Sequence, residues 1–265
     1  MNLLIKNDYS EIKEGLINIV PFERSNLEYI GFDILRLKKG NSFSLTKKGF
    51  ETAIVIFYGK CSIFLNEIAY ENINFRENFF KENASCVYVP NNEKFVIKAI
   101  EDIEVGLCYA KTNKNKKSFI VRPEDVRERK VGENSYKRVV KDIIYGIHDV
   151  DRFIIGETIS KDGAWSSFPP HKHDRDLLPV ESKFEEIYHF RMEPAQGFAI
   201  QKVYTEEKDI DETYTVKNYD TIIIPKGYHP VVGCPGYNIC YFWILGGEKR
   251  EYKLFEDGEH SWITK

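Results

Sequence analysis

Histidine is missing from the first 147 residues: all six, His148, His171, His173, His189, His229 and His260, lie in the second half of the chain. Imidazole chemistry is therefore excluded from one half and concentrated in the other. Cysteine is sparse, and its five positions (Cys61, Cys86, Cys108, Cys234 and Cys240) are odd in number and form no Cys-x-x-Cys pair. That spacing argues against a disulfide framework or a zinc knuckle and for reduced core thiols. No apolar run approaches the ~20 residues needed to span a bilayer. The segment from Met1 to Asp8 turns charged too early for a signal peptide, so a soluble cytoplasmic protein is expected. The formal net charge is only −3, which gives no electrostatic reason to expect nucleic acid or an anionic membrane as partner. The basic run from Lys111 to Lys117 is interrupted by Thr112, Asn113 and Asn115 and reads as a solvated connector.

Aromatic residues are plentiful. With 16 Tyr and 18 Phe among 265 residues, and many Ile and Val, the composition favours strands over helices. The length suits one large domain or two modest ones. Short apolar stretches separated by turn residues run from Ile30 to Leu37, Thr52 to Tyr58, Cys61 to Leu65, Cys86 to Val89, Phe95 to Ala99 and Val105 to Ala110. This pattern predicts an all-β sandwich or barrel.

The halves also resemble each other. Glu51 heads an apolar strand 39 residues before Pro90, and Glu186 heads one 39 residues before Pro225, so the offset is 135 in both cases. One β-unit used twice is the simplest reading. The segment from Ile120 to Tyr145, with Arg122-Pro123-Glu124-Asp125 and Arg127-Glu128-Arg129, reads as a charged surface crossover. It places the boundary near residue 130, with residues 1–130 a unit without metal ligands and residues 131–265 the unit that carries the chemistry.

The chemistry centres on Pro169 to Pro230. His171 and His173 are two residues apart, and side chains alternate along a strand, so both rings are expected on one face. Pro225-Lys226-Gly227-Tyr228 is a turn that delivers His229 into the next strand. Asp174, Asp176, Glu181, Glu185 and Glu186 are candidates for a carboxylate ligand. Strand parity favours Glu186, which shares a face with Tyr188 and Phe190, while Glu185 and His189 point away; a β-bulge would reverse that choice. Imidazole and carboxylate donors suit zinc or a similar first-row divalent ion, with manganese and iron as alternatives. His148 and His260 read as ordinary isolated histidines.

These residues carry a resemblance. Gly163, His171, His173, Glu186 and Gly197 are similar to the first cupin motif, and Pro225, Gly227 and His229 to the second. The spacer between His173 and Glu186 is longer than in most cupins. The stretches PPHKHD at 169–174, EEIYHFR at 185–191, QGFAIQKVYT at 196–205, DETYTVKNYD at 211–220 and PKGYHPVVGCPGYN at 225–238 resemble the 5-deoxy-glucuronate isomerase family of myo-inositol catabolism. YIGFDILRLKKG at 29–40 and VYVPNNEKFVIKA at 87–99 extend the likeness more weakly into the first half.

The resemblance implies a bicupin, two jelly-roll β-barrel units in one chain, with a metal in the second at His171, His173, Glu186 and His229. It also implies relatedness to the 4-deoxy-5-keto-uronate isomerases of pectin breakdown, whose Glu-x-Tyr context supports Glu186 over Glu185. The implied reaction is an aldose–ketose isomerisation of a small sugar acid through a cis-enediolate. Tyr188, Gln201 and Glu186 are the candidates for proton transfer, and Arg175, Arg191 and Lys226 for the substrate carboxylate. A cupin Fe(II) dioxygenase and a non-catalytic sugar-binding cupin share the ligand set and stand as alternatives. Homo-oligomerisation is open.

Overall fold

The structure is a computed structural model that describes residues 2–264 apart from Arg24 and Asn74. Among the described residues it contains strands and three short 3-10 turns. The all-β expectation follows physically from the sequence: stretches such as ETAIVIFY and NICYFWIL are rich in β-branched and aromatic residues and too short and too uniformly apolar for amphipathic helices. None of the described helical segments is long and apolar enough to cross a membrane.

The chain forms two compact units. Where the sequence suggests one boundary near residue 130, the units interleave. One holds residues 8–127 and 143–154; the other holds residues 1–7, 128–142 and 155–265. Residues 1–7 join the latter because Leu4–Ile5 pairs with Thr221–Ile224, extending its sheet by one edge strand. The charged segment expected as a surface crossover is partly strand: Arg127–Val131 and Arg138–Ile144 are the last two members of that same sheet.

Each unit has a large sheet and a four-stranded one. In the N-terminal unit the large sheet runs Phe119–Val121, Cys86–Val89, Phe50–Tyr58, Ile103–Lys111, Ile30–Leu37, Gly15–Val20. In the C-terminal unit it runs Leu4–Ile5, Thr221–Ile224, Glu185–Glu193, Asn238–Gly246, Phe153–Ser160, Arg138–Ile144, Arg127–Val131. The four-stranded sheets run Ser42–Thr46, Lys94–Ala99, Cys61–Leu65, Ala69–Tyr70 and Trp165–Ser166, Val231–Gly233, Phe198–Tyr204, Asp211–Lys217. The four-stranded sheets correspond strand for strand, as do the five strands of the large sheets from Cys86–Val89 to Gly15–Val20 and from Thr221–Ile224 to Arg138–Ile144, which is the jelly-roll repeat; the outermost strands differ.

The ladders refine the sequence repeat. Val89, just before Pro90, pairs with Thr52, whereas Ile224, just before Pro225, pairs with Glu186. The position equivalent to Glu186 is therefore Thr52, and Glu51 corresponds to Glu185. A one-residue slip matters because it moves a side chain to the opposite face of the sheet. In the N-terminal unit the face bearing Ile54 and Ile56 meets Leu35, Val87, Phe95, Val105 and Leu107 in a continuous apolar core. All five cysteines are free thiols; four are buried, as expected of inert core residues, with burial raising the Cys61 thiol to about 12, while Cys234 is half-buried.

Candidate metal centre

Glu186 stands second in the strand Glu185–Glu193, paired with Ile224 on one side and Leu245 on the other. His171 begins a two-residue strand, His171–Lys172, that pairs with Phe255–Glu256. Regular pairing lapses at His173, yet the alternation survives. Lys172 turns away to bind Asp174 at 2.7 Å and Glu181 at 2.9 Å, while the rings of His171 and His173 each stand 5.1 Å from the ring of His229. That ion cluster also occupies two of the competing carboxylates. Asp176 is a third, tied to Lys249 at 2.8 Å.

His229 is delivered by the Pro225–Tyr228 turn. Gly227 has φ +97, and a Cβ there would lie 2.6 Å from the Tyr204 carbonyl oxygen, so glycine is required on both counts. Its amide donates to Asp174 Oδ2 at 2.8 Å and its carbonyl accepts from His229 Nδ1 at 2.9 Å, which ties the turn at both ends. Gln201 Nε2 donates to the carbonyls of His229 at 2.8 Å and Pro230 at 3.1 Å, holding the same stretch from the neighbouring strand. Its amide nitrogen is committed to those carbonyls, while its Oε1 is buried without a hydrogen-bond partner among the described residues.

His173, Glu186 and His229 present ligand atoms that all lie within 4.8 Å of one another, and all three side chains are buried. His173 Nδ1 faces the Phe184 carbonyl at 3.1 Å, His229 Nδ1 that of Gly227, and His171 Nδ1 that of Pro169 at 3.3 Å. A carbonyl only accepts, so each Nδ1 carries a proton and each ring has its Nε2 left for the cluster. Nε2 of His173 lies 3.1 Å, and that of His229 3.3 Å, from the same Glu186 oxygen. His229 Nε2 has no hydrogen-bond partner despite complete burial. Lone pairs and a carboxylate facing one another require a positive centre. A divalent cation fits this donor set, with the backbone carbonyls as the outer supports that orient metal-binding imidazoles.

In the absence of an ion, protons shared between the imidazoles and Glu186 meet that demand. Burial alone would raise the Glu186 pKa, but His173 and His229 override it and hold the group at about 2. Burial opposes charge on His173, and Glu186 nevertheless lifts its pKa above the ordinary imidazole value. His171 is pushed well below that value by burial, then by His229 and His173, with Arg138 contributing.

Around the trio, Tyr188 packs against Tyr241 with ring centroids 4.3 Å apart, and its hydroxyl is 2.8 Å from Ser167 Oγ. Burial, and then Glu186, raise its pKa well above that of a free phenol, so it is a neutral donor. The sequence reading did not single out Ser167 or Tyr241. Ser167 has φ +50 in the Trp165–Phe168 turn, and neither residue has a motif that marks it.

The three cations expected to meet a substrate carboxylate are not brought to this cluster. Arg175 pairs with Glu206, and Lys226 with Asp209 at 2.5 Å, in an exposed recess. Arg191 lies on the opposite face of its strand with His189, its guanidinium 4.6 Å from the Tyr219 ring centre; His189 itself bonds Thr221 Oγ1 at 2.8 Å.

Residues 3–263 match the family described as KduI/IolB. The chain belongs to that family. It is 39% identical over 267 residues to the 5-deoxy-glucuronate isomerase of Halalkalibacterium halodurans, covering 99% of each chain. To the protein of the same name from Bacillus subtilis strain 168 it is 37% identical, over 99% of this chain and 98% of the relative. Its structure is similar to that of an IolB-like protein from Salmonella typhimurium LT2, with TM-score 0.93, 30% identity and full coverage of both chains. An oxalate decarboxylase from Lactobacillus farciminis matches 97% of this chain and 88% of its own at TM-score 0.67 and 12% identity, a likeness of fold alone. The fold is thus the bicupin.

Proposed function

We propose that the protein isomerises 5-deoxy-glucuronate to 5-dehydro-2-deoxy-gluconate, an aldose–ketose isomerisation. In this reading a divalent metal, zinc in the first instance, with manganese or iron as alternatives, is held by His173, Glu186 and His229 together with His171. The observation that carries it is the convergence of two buried imidazole Nε2 atoms on one carboxylate oxygen, in a chain whose relatives bear the isomerase name over their full length. The residues C-terminal to about 130 carry the chemistry, and the N-terminal unit is structural.

When bound, the metal supplies Lewis-acid polarisation of the carbonyl and stabilises the negative charge of the enediolate, worth several kcal/mol. The protein's own groups then divide the proton work by their resting states. Glu186 is a carboxylate that could carry the C2 proton to C1 only on swinging off the metal, since in place it is held at about 2; Tyr188 is a buried neutral phenol and can only donate a hydrogen bond to developing charge. Ser167 fixes the Tyr188 hydroxyl, and Gln201 fixes the backbone that carries His229. The aromatic pair Tyr188 and Tyr241 keeps water from one side of the cluster.

The test is metal analysis of the purified protein, then incubation with 5-deoxy-glucuronate in deuterated water with and without a chelator. Conversion should stop on chelation, return with added divalent metal and consume no oxygen. Conversion indifferent to metal, or none at all with metal restored, would defeat the proposal.

A further inference from the structure

A six-carbon sugar acid carries its carboxylate at the end opposite the aldehyde, so a site that works on C1 and C2 leaves the carboxylate to be met by a cation beside the ligand set. The three cations that the sequence offers are occupied elsewhere or face away. We propose that Arg138 binds the substrate carboxylate and thereby selects sugar acids over neutral sugars. This rests on the isomerase reading above.

Arg138 is half-buried in the strand Arg138–Ile144. Its Nη1 donates to the carbonyls of Tyr136 at 3.0 Å and Phe168 at 3.1 Å, and no carboxylate of the described residues pairs with it. Nη1 has two hydrogens, and the two carbonyls take them. The Nε–Nη2 edge is left free, which is the edge that grips a carboxylate with two parallel hydrogen bonds. A guanidinium partly withdrawn from water without a counter-ion costs free energy unless a ligand supplies the charge. Arg129, on the adjoining strand, shows the satisfied alternative: it holds Asp142 through Nε at 2.7 Å and Nη2 at 3.0 Å.

The location fits. Phe168, whose carbonyl anchors Arg138, lies three residues before His171. His171 is partly exposed whereas His173, Glu186 and His229 are buried, so the cluster opens at His171, next to the segment whose Phe168 carbonyl holds Arg138. Gly132, at φ +77, keeps the space clear: a Cβ there would lie 3.0 Å from Arg138 Nη1.

The experiment compares wild type, Arg138→Met and Arg138→Lys on two sugars, 5-deoxy-glucuronate and the analogue with a hydroxymethyl group in place of the carboxylate. Arg138→Met should lower kcat/KM for the acid by roughly 10- to 100-fold, the worth of hydrogen bonds to a charged group, chiefly through KM. Turnover of the neutral sugar and the metal content should stay unchanged. Titration calorimetry should show acid binding weakened by the same factor, and Arg138→Lys should recover part of it. Should Arg138→Met fail to fold, the ratio of acid to neutral rates in Arg138→Lys carries the same test. A variant that keeps the wild-type preference for the acid, or loses both sugars equally, overturns the assignment while leaving the isomerase reading intact. Wild-type protein inactive on both sugars removes both.

Discussion

Across the ladder from the residue before Pro90 stands Thr52; across from the residue before Pro225 stands Glu186. From these equivalent positions the two units diverge. In the N-terminal one the inward face continues through Ile54 and Ile56 into an apolar core closed by Leu107, Val87 and Phe95. In the C-terminal one the same face reads Glu186, Tyr188 and Phe190 and meets histidines. A buried glutamate occurs in both units, with opposite behaviour. Glu51 accepts hydrogen bonds from Tyr88 and from the amides of Asp151 and Arg152, and burial still raises its pKa. Glu186 is as buried, but two imidazoles reverse the sign. Burial therefore does not make a reactive carboxylate; the identity of its neighbours does.

The sharpest way to break this comparison is to remove an imidazole. His173→Ala or His229→Ala should lose bound metal and more than about 10³ in kcat/KM, since the metal is worth several kcal/mol. Thr52→Ala, at the position equivalent to Glu186, should leave metal content unchanged, as element analysis will show. Next, Tyr188→Phe should retain metal and lower kcat by about 10²-fold through loss of one donor to developing charge; an unchanged kcat would remove Tyr188 from the mechanism. On the apolar side, Ile54→Ala should destabilise the protein by about 2 to 5 kcal/mol in denaturant unfolding without reducing metal stoichiometry.

The smallest effect concerns Glu51. A carboxyl whose pKa is raised on folding contributes stability that is whole below its unfolded pKa and lost as pH rises through its folded one. The unfolding midpoint of wild type relative to Glu51→Gln should therefore decline as pH climbs from the ordinary carboxylate value of 4.5 towards neutrality. The reverse slope would show that the Tyr88 hydroxyl and the two amides outweigh burial.

Much of the site was legible because it depends on spacing. Alternation put His171 and His173 opposite Lys172, and the parity of Glu186 with Tyr188 singled out one carboxylate among five. The cations were not legible. Arg175 and Lys226 sit close to the motifs in sequence, yet their strands end in an exposed recess where Glu206 and Asp209 take their charge. Arg138 sits in a segment that reads as a charged surface crossover and becomes a sheet strand only because Phe153–Ser160 offers it an edge.

The sequence by itself determined the strand-rich architecture, the repeat, the confinement of imidazoles to one unit and three residues of the buried cluster, since these follow from composition and from a period of two. Only the tertiary structure decided which residue of the N-terminal unit stands where Glu186 does, where the chain's first strand belongs and that Arg138 meets backbone carbonyls and no carboxylate among the described residues. Those depend on ladder register and on pairings between residues distant in sequence, which spacing along the chain does not encode.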